Sequence, residues 1–181
     1  MMKKTNAARL LDRLDIHYSL RTYPIQDGEH LEATTVAQLV GMEPAHVFKT
    51  LAARGDKHGV LLACIPADQE LDLKKLAEAS DNKRVELIHL KEVLSATGYV
   101  RGGVSPLAVK KDYPVYVDDS ALALPEMAVS AGMRGAQLIL APQDLIRAVR
   151  AVPKSLVRST VLSANDETQM FLERRTEYDQ N

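Results

Sequence analysis

Lys49 lies in a segment that could do chemistry, Val47-Phe48-Lys49-Thr50-Leu51. The period-2 alternation of a β-strand places Lys49 on the same face as Val47 and Leu51. A lysine on an apolar strand face can sit in a partly apolar cavity and bind a carbonyl or phosphate oxygen. It can also protect the edge of a sheet from pairing with another chain. The alternation alone favours this structural explanation and leaves the binding role open.

A second candidate segment is the loop from Gly98 to Leu107, which contains the pair Gly102-Gly103. Adjacent glycines let the backbone approach a ligand closely, and Pro106 keeps Ser105 extended. Such a loop can direct several N–H groups at one oxyanion. An ordinary Gly-Gly turn explains the pattern equally well. A similar but weaker loop runs from residue 130 to residue 135.

Other chemically suggestive residues favour structural roles. Cys64 lies in the apolar run Leu61–Ile65 with no neighbour that would stabilise a thiolate, so we interpret it as a buried small hydrophobe. Asp118-Asp119 could serve acid–base or metal chemistry, but an acidic pair at a strand end is more typical of a turn. The five histidines lack metal-ligand spacing, and we expect neither a metal nor another cofactor.

The elements that must position these residues are strands with short helices placed irregularly between them. We predict strands at 18–23, 47–54, 60–65, 84–88, 114–117, 127–130, 136–140 and 157–162. We predict helices at 5–15, from a Thr35/Gln38 capping box to Gly41, at 72–79, at 90–97 and from Pro142. Because no steady βαβ rhythm exists, the pattern predicts an α+β fold with a mixed, barrel-like sheet.

Composition limits the class of protein. The 181 residues have a net charge of -1 and 4% aromatic residues, which argues against a domain that grips nucleic acid through stacked aromatics or a broad basic surface. A single cysteine excludes an intramolecular disulfide. With no signal peptide or membrane span in the sequence, we expect a cytoplasmic protein. We expect one domain at 1–162 and a charged C-terminal tail at 163–181.

Several motifs in order along the chain carry a family resemblance. They are Phe48-Lys49-Thr50-Leu51, Leu71-Asp72-Leu73-Lys74-Lys75, Thr97-Gly98-Tyr99, Gly102-Gly103-Val104-Ser105-Pro106-Leu107, Val129-Ser130-Ala131-Gly132-Met133-Arg134-Gly135 and Ala141-Pro142-Gln143-Asp144-Leu145. From about Ala7 to about Val152 the chain resembles the YbaK/ProX family of aminoacyl-tRNA editing domains. Within that family it is most similar to the YbaK branch, the Cys-tRNA(Pro)/Cys-tRNA(Cys) deacylases.

The resemblance implies a compact single domain in which short helices surround a closed sheet, and removal of a wrong amino acid from tRNA. It implies catalytic roles for Lys49, Gly102 and Gly103. It implies substrate contacts for Tyr23, Leu31, Thr50, Val104, Ser105, Pro106, Ser130 and Arg134. Leu31, Ala108 and Ala131 depart from the residues common in the family, whereas Lys49 and the Gly102–Pro106 loop are intact.

The resemblance also implies a mechanism without a protein nucleophile, in which the substrate cysteine's own thiol attacks its ester. Hydrolysis of Ala-tRNA(Pro) or of another small mischarged aminoacyl-tRNA is the alternative reaction, and a non-catalytic binding module is the alternative class. The partners expected are the aminoacyl end of mischarged tRNA, bound weakly, and prolyl-tRNA synthetase. Arg101, Lys110, Lys111, Lys154 and Arg158 could form a local basic rim, or could be scattered solvated charges.

Overall fold

The computed structural model describes residues 3–159, in which eight strands and five α-helices alternate with three short 3-10 helices. The strands are β1 (Ser19–Thr22), β2 (Phe48–Gly55), β3 (Gly59–Pro66), β4 (Val85–Leu87), β5 (Val115–Asp118), β6 (Met127–Ser130), β7 (Ala136–Leu140) and β8 (Val152–Lys154). The helices are α1 (Asn6–Arg13), α2 (Ala33–Val40), α3 (Leu73–Ala79), α4 (Val93–Thr97) and α5 (Pro142–Val149), and the 3-10 helices are Pro44–His46, Leu90–Glu92 and Asp119–Ala123.

The strands form two sheets. The smaller sheet is antiparallel, with the order β1-β7-β6. The larger sheet has the order β4-β2-β3-β5-β8. In this sheet β2 is antiparallel to both β3 and β4, whereas β3, β5 and β8 run parallel to one another. The α+β class and the mixed sheet are therefore confirmed.

The expected closed, barrel-like sheet is wrong. In residues 3–159 the two sheets meet at a single parallel bridge, between Val47 and Ala128. A barrel needs continuous pairing around its whole circumference. Here β6 ends at Ser130, where the chain turns back toward β7, so at most two residues of β6 beyond the bridge could pair with β2. At the far edge of the larger sheet, β8 contains Pro153, whose missing N–H suits an edge strand.

The core explains why β2 and β3 are so regular. Leu62, Ala63, Cys64 and Ile65 are fully buried, which confirms that β3 is covered on both faces. One apolar cluster fills the space between the two sheets, and another lies between the larger sheet and α3. The hairpin of β2 and β3 is therefore held by packing on both sides.

Most of the predicted helix ends are confirmed. The Thr5 hydroxyl accepts the N–H of Ala8, the Asp72 carboxylate accepts the N–H groups of Lys74 and Lys75, and Gly41 ends α2 with φ of 70°. The capping box at Thr35 and Gln38 is wrong. Glu32 is the N-cap residue of α2, without a side-chain hydrogen bond, so Thr35 already lies inside the helix.

The C-terminal part differs from the prediction. The sequence pattern missed β8, and the strand expected from Val157 begins as one bridge between Val157 and Leu71. Residues 160–162 of that strand and the expected tail at 163–181 lie outside the described residues. Among the helices of residues 3–159, none is long and apolar enough to cross a bilayer.

Candidate functional site

A cavity of about 780 Å³ opens where β2 and β6 diverge beyond their single bridge. The wall formed by β2 runs from Phe48 to Ala52, and the opposite side contains residues of β6, β7 and the 101–104 loop. The lining residues that matter for chemistry are Tyr23, His30, Leu31, Glu32, Lys49, Thr50, Glu70, Arg101, Gly102, Val104, Ser130, Gln137 and Arg158. The residues predicted from the sequence that line the cavity are Tyr23, Leu31, Lys49, Thr50, Gly102, Val104 and Ser130.

Lys49 lies on the cavity wall and is only partly exposed. Its Nζ donates a hydrogen bond to the carbonyl oxygen of Ala67, at 3.1 Å. An ammonium group has further N–H donors, and these remain for a ligand. The strand ladder and this hydrogen bond fix the position of the cation before any substrate arrives.

Thr50 contacts both the cavity and the core. It lines the cavity, and its Oγ1 lies 3.6 Å from Cys64 Sγ in a hydrogen bond in which either atom can donate. Burial raises the pKa of the Cys64 thiol to about 12, although the hydrogen bond from Thr50 opposes this rise. The thiol is therefore protonated at neutral pH, and the interpretation of Cys64 as a buried small residue is confirmed.

The Gly102–Pro106 loop is divided between the cavity and the interior. Gly102, with φ of 83°, and Val104 line the cavity. The Gly103 N–H donates to the carbonyl of Val100 at 2.9 Å, so it is not available to an oxyanion. Ser105 is fully buried and its Oγ accepts the Leu107 N–H at 3.2 Å. Gly103, Ser105 and Pro106 are not among the lining residues; they hold the loop in shape.

The 130–135 loop packs against the segment that contains the Gly102–Pro106 loop. Ser130 lines the cavity while its Oγ accepts the N–H of Gly132 at 3.1 Å. Arg134 does not line the cavity, and its Nε donates to the carbonyl of Arg101 at 2.8 Å. A methyl group added to Gly132 would lie 2.7 Å from Cε1 of Tyr99, so this glycine allows the two loops to pack together.

The Asp118-Asp119 pair does not serve the cavity. Asp118 is buried, and its two carboxylate oxygens accept the N–H groups of Leu156 at 2.9 Å and Ser120 at 3.2 Å. Asp119 is exposed at the start of a 3-10 helix. This arrangement supports the structural interpretation of the pair. Within residues 3–159 no group of three or more His, Cys, Asp or Glu side chains could hold a metal ion.

The comparison with known protein families decides the identity. The model of the aminoacyl-tRNA editing domain matches residues 29–148, which contain β2, both loops and nearly all of the cavity lining. The chain belongs to this family. It is therefore an aminoacyl-tRNA deacylase, and the family resemblance of the sequence is confirmed.

Individual proteins resemble this chain in sequence or in fold. The chain is 44% identical over 144 residues to a candidate Cys-tRNA(Pro)/Cys-tRNA(Cys) deacylase of Enterococcus faecalis, EbsC, covering 80% of this chain and 87% of that protein. It is 29% identical over 109 residues to the uncharacterized protein YwhH of Bacillus subtilis, covering 60% and 69%. Its fold matches the crystal structure of a candidate trans-editing enzyme for prolyl-tRNA synthetase with a TM-score of 0.75 and 25% identity, covering 87% and 100%.

The sequence reasoning missed several residues of the deacylase cavity. Gln137 lies directly across from Ser130 in the pairing of β6 with β7 and is buried on the cavity wall. A polar residue within the apolar strand Ala136–Leu140 was the available signal. His30 and Glu70 come from polar segments, where no periodic pattern distinguishes a cavity residue from a solvated one.

Proposed function

We propose that this deacylase removes cysteine from Cys-tRNA(Pro), and also acts on Cys-tRNA(Cys). The similarity to EbsC supports the substrate class. The observation that carries the proposal is that Lys49, Thr50, Ser130 and Gly102 line one cavity. The single cysteine of the chain, Cys64, is buried and protonated. Such a site can position a substrate and stabilise charge, and this is what a self-reacting substrate requires.

The reaction is an intramolecular displacement within the substrate. The cysteinyl thiol attacks its own ester carbonyl, so that a sulfur–carbon bond forms and the bond from that carbon to the ribose oxygen breaks. The thiol proton is transferred to the departing ribose oxygen. The products are cysteine thiolactone and tRNA with a free terminal hydroxyl.

Lys49 is the residue to which we assign the main electrostatic role. Its remaining N–H groups donate charge-assisted hydrogen bonds to the ester carbonyl oxygen or to the ribose–phosphate end. From the loop, Gly102 and Val104 are the backbone donors for the developing oxyanion, because Gly103 is already bonded to Val100. The loss of one such donor typically raises the barrier by about 3–4 kcal/mol.

Selectivity comes from two sources. Tyr23, Leu31, Thr50 and Ser130 line the cavity and contact the amino acid or the terminal adenosine. Pocket contacts alone discriminate weakly, since one methylene is worth only about 1–3 kcal/mol. The requirement for a thiol on the substrate adds a chemical selection that serine and alanine fail.

The test is a deacylation panel with Cys-tRNA(Pro), Ser-tRNA and Ala-tRNA(Pro) as substrates of the purified protein. We expect fast loss of cysteine and background rates for serine and alanine. Lys49→Ala should abolish the activity while the circular dichroism spectrum stays unchanged. If alanine is removed fastest, the enzyme is the hydrolytic editor of Ala-tRNA(Pro) instead. Equal rates for serine and cysteine would rule out participation of the thiol.

The chain needs a partner to bind the tRNA body tightly, because its net charge of -1 gives it no general attraction for a polyanion. We propose that prolyl-tRNA synthetase supplies this affinity in a complex. The isolated chain should bind tRNA weakly and with strong salt dependence. Tight binding that does not change between low and high KCl would contradict this proposal.

A further inference from the structure

Arg158 lies on the cavity wall although it falls outside residues 29–148, the part matched by the family model. Its main chain is firmly held. The Arg158 N–H donates to the carbonyl of Glu70 at 2.9 Å, and the neighbouring Val157 forms a β-bridge with Leu71. These backbone contacts hold the Cα of Arg158 at the edge of the cavity.

The residues before Arg158 strengthen this attachment. Leu156 is fully buried, its N–H donates to the Asp118 carboxylate at 2.9 Å, and its carbonyl accepts the Asp72 N–H at 2.8 Å. The Lys75 ammonium donates to the carbonyl of Val157 at 2.7 Å. This explains what Asp118 contributes: it anchors the segment that carries Arg158.

The Arg158 side chain itself is held loosely. Its Nη1 lies 3.0 Å from Glu70 Oε2, and the two side chains are 65% and 73% exposed. An ion pair this exposed contributes little to stability, so the guanidinium can exchange Glu70 for another anion at little cost. The charged lining residues are Lys49, Arg101 and Arg158 against Glu32 and Glu70, so Glu70 offsets much of the attraction for a polyanion.

We propose that Arg158 binds a backbone phosphate at the 3′ end of the tRNA, and that Glu70 is the counter-ion which this phosphate displaces. The inference rests on the proposed function, because it assumes that the aminoacyl end enters this cavity. A guanidinium suits the role, since its planar set of N–H donors matches two phosphate oxygens at once. Arg158 is accordingly a substrate-binding residue that acts on affinity.

The first measurement is the kinetics of Cys-tRNA(Pro) deacylation over a series of KCl concentrations. Arg158→Ala should raise KM about three- to tenfold, the usual range for one partly solvated charged contact, with kcat nearly unchanged. The slope of log KM against log[KCl] should decrease by about 0.7, the value for one phosphate of a single strand. Glu70→Gln should lower KM.

The matched control is Arg147→Ala, because Arg147 also forms an exposed pair, with Asp144 at 3.3 Å, but does not line the cavity. Its KM and salt slope should equal those of the wild type. If Arg158→Ala behaves like this control while the wild type is active, the role of Arg158 is refuted and the proposed function stands.

A binding measurement separates the inference from the reaction. Fluorescence anisotropy with an uncharged RNA microhelix ending in CCA reports binding without turnover. We expect weaker binding by Arg158→Ala and tighter binding by Glu70→Gln. If the wild type fails to deacylate Cys-tRNA(Pro) but these shifts occur, the proposed function fails and Arg158 still binds RNA. Unchanged binding in both variants would overturn the inference.

Discussion

The two walls of the cavity are built by different physical means. On one side, Lys49 and Thr50 belong to β2, which is paired with β3 along its whole length. On the other side, Gly102 and Val104 belong to a loop that is shaped by its packing against the 130–135 loop. In the wall formed by β2, the strand wall, the backbone conformation does not depend on the side chains of Lys49 and Thr50. In the wall formed by the loop, the loop wall, the same residues determine the backbone conformation and would contact the substrate.

This difference teaches which substitutions separate activity from stability. A side chain on β2 can change without disturbing the ladder, because backbone hydrogen bonds maintain the strand. A larger residue in either glycine-containing loop must displace the other loop, because the atoms between the two loops are close-packed and leave no free volume. We therefore expect variants of the strand wall to affect activity alone, and variants of the loop wall to affect both.

The largest effect is expected for Lys49→Met, which keeps an unbranched apolar side chain and removes the ammonium. We expect kcat to fall by about 10²–10³-fold, as for the loss of one electrostatic donor. The free energy of unfolding should change by only about 1 kcal/mol, because a single hydrogen bond to Ala67 is lost. Parallel measurement of deacylation and urea unfolding checks this; a large loss of stability would break the proposed separation.

Gly132→Ala should be the most damaging change in the loop wall. The new methyl group would lie 2.7 Å from the Tyr99 ring, which cannot move freely because its hydroxyl donates to the carbonyl of Leu107 at 2.6 Å. The positive φ of 89° adds backbone strain. We expect a loss of about 3 kcal/mol in stability together with reduced activity.

The control for this prediction is Gly41→Ala. Gly41 also has a positive φ, of 70°, but a methyl group there would meet nothing within 4 Å. It isolates the backbone strain, about 1–2 kcal/mol, from the clash between the loops. If Gly41→Ala and Gly132→Ala unfold at the same urea concentration, the contact with Tyr99 contributes nothing.

Gly103→Ala should have a smaller effect. Its methyl group would lie 3.1 Å from the carbonyl carbon of Met133, so the loops must separate by a few tenths of an ångström. We expect a loss of about 1 kcal/mol in stability, at the lower end for overpacking. Because Gly102 and Val104, the proposed oxyanion donors, move with the loop, kcat should fall, but by less than in Lys49→Met. An unchanged kcat would mean that these two N–H groups do not stabilise the oxyanion.

The strand wall was predictable from the sequence, and the loop wall only in part. The alternation of apolar residues around Lys49 fixes its strand and its face, and the turn from Gly55 to Gly59 fixes the hairpin. The motif around Gly102 identified the loop. It could not show that Gly103 packs against Met133 and Arg134 instead of lining the cavity, because those residues lie about thirty positions further along the chain.

The failure to predict two open sheets has a similar cause. Local patterns identified β2 and β6 correctly, but whether two strands pair for one bridge or for a whole ladder depends on where each turns away. Gln137 was overlooked as a cavity residue for the same reason, and Arg158 was named only as one of several residues of a possible basic rim. Their roles depend on the point where the sheets separate, which no local pattern specifies.

Substitution of Cys64 should have the smallest effect on activity. It tests whether the position of Thr50 on the strand wall depends on the residue paired with it in β3. It lies directly across from Thr50 in the pairing of β2 with β3. If the reaction uses no protein nucleophile, Cys64→Ala and Cys64→Ser should keep deacylation within about threefold of the wild type, the range expected when only the position of Thr50 is slightly altered. A loss as large as that of Lys49→Met would make the cysteine part of the chemistry.

The pH dependence of the free energy of unfolding tests independently whether the Cys64 thiol is shielded from water. The Cys64 thiol has a pKa of about 12 in the folded protein, against an ordinary value of 9.0 that applies in the unfolded chain. Between these values the folded state binds more protons, so the stabilisation present below the ordinary pKa is lost as the pH rises, by up to about 1.4 kcal/mol per pH unit. Both Cys64 variants lack this proton, and their urea midpoints should fall less steeply above pH 9 than that of the wild type. Parallel curves for wild type and variants would mean that water reaches the thiol in the folded protein, and the β2 wall would then be open to solvent on both faces.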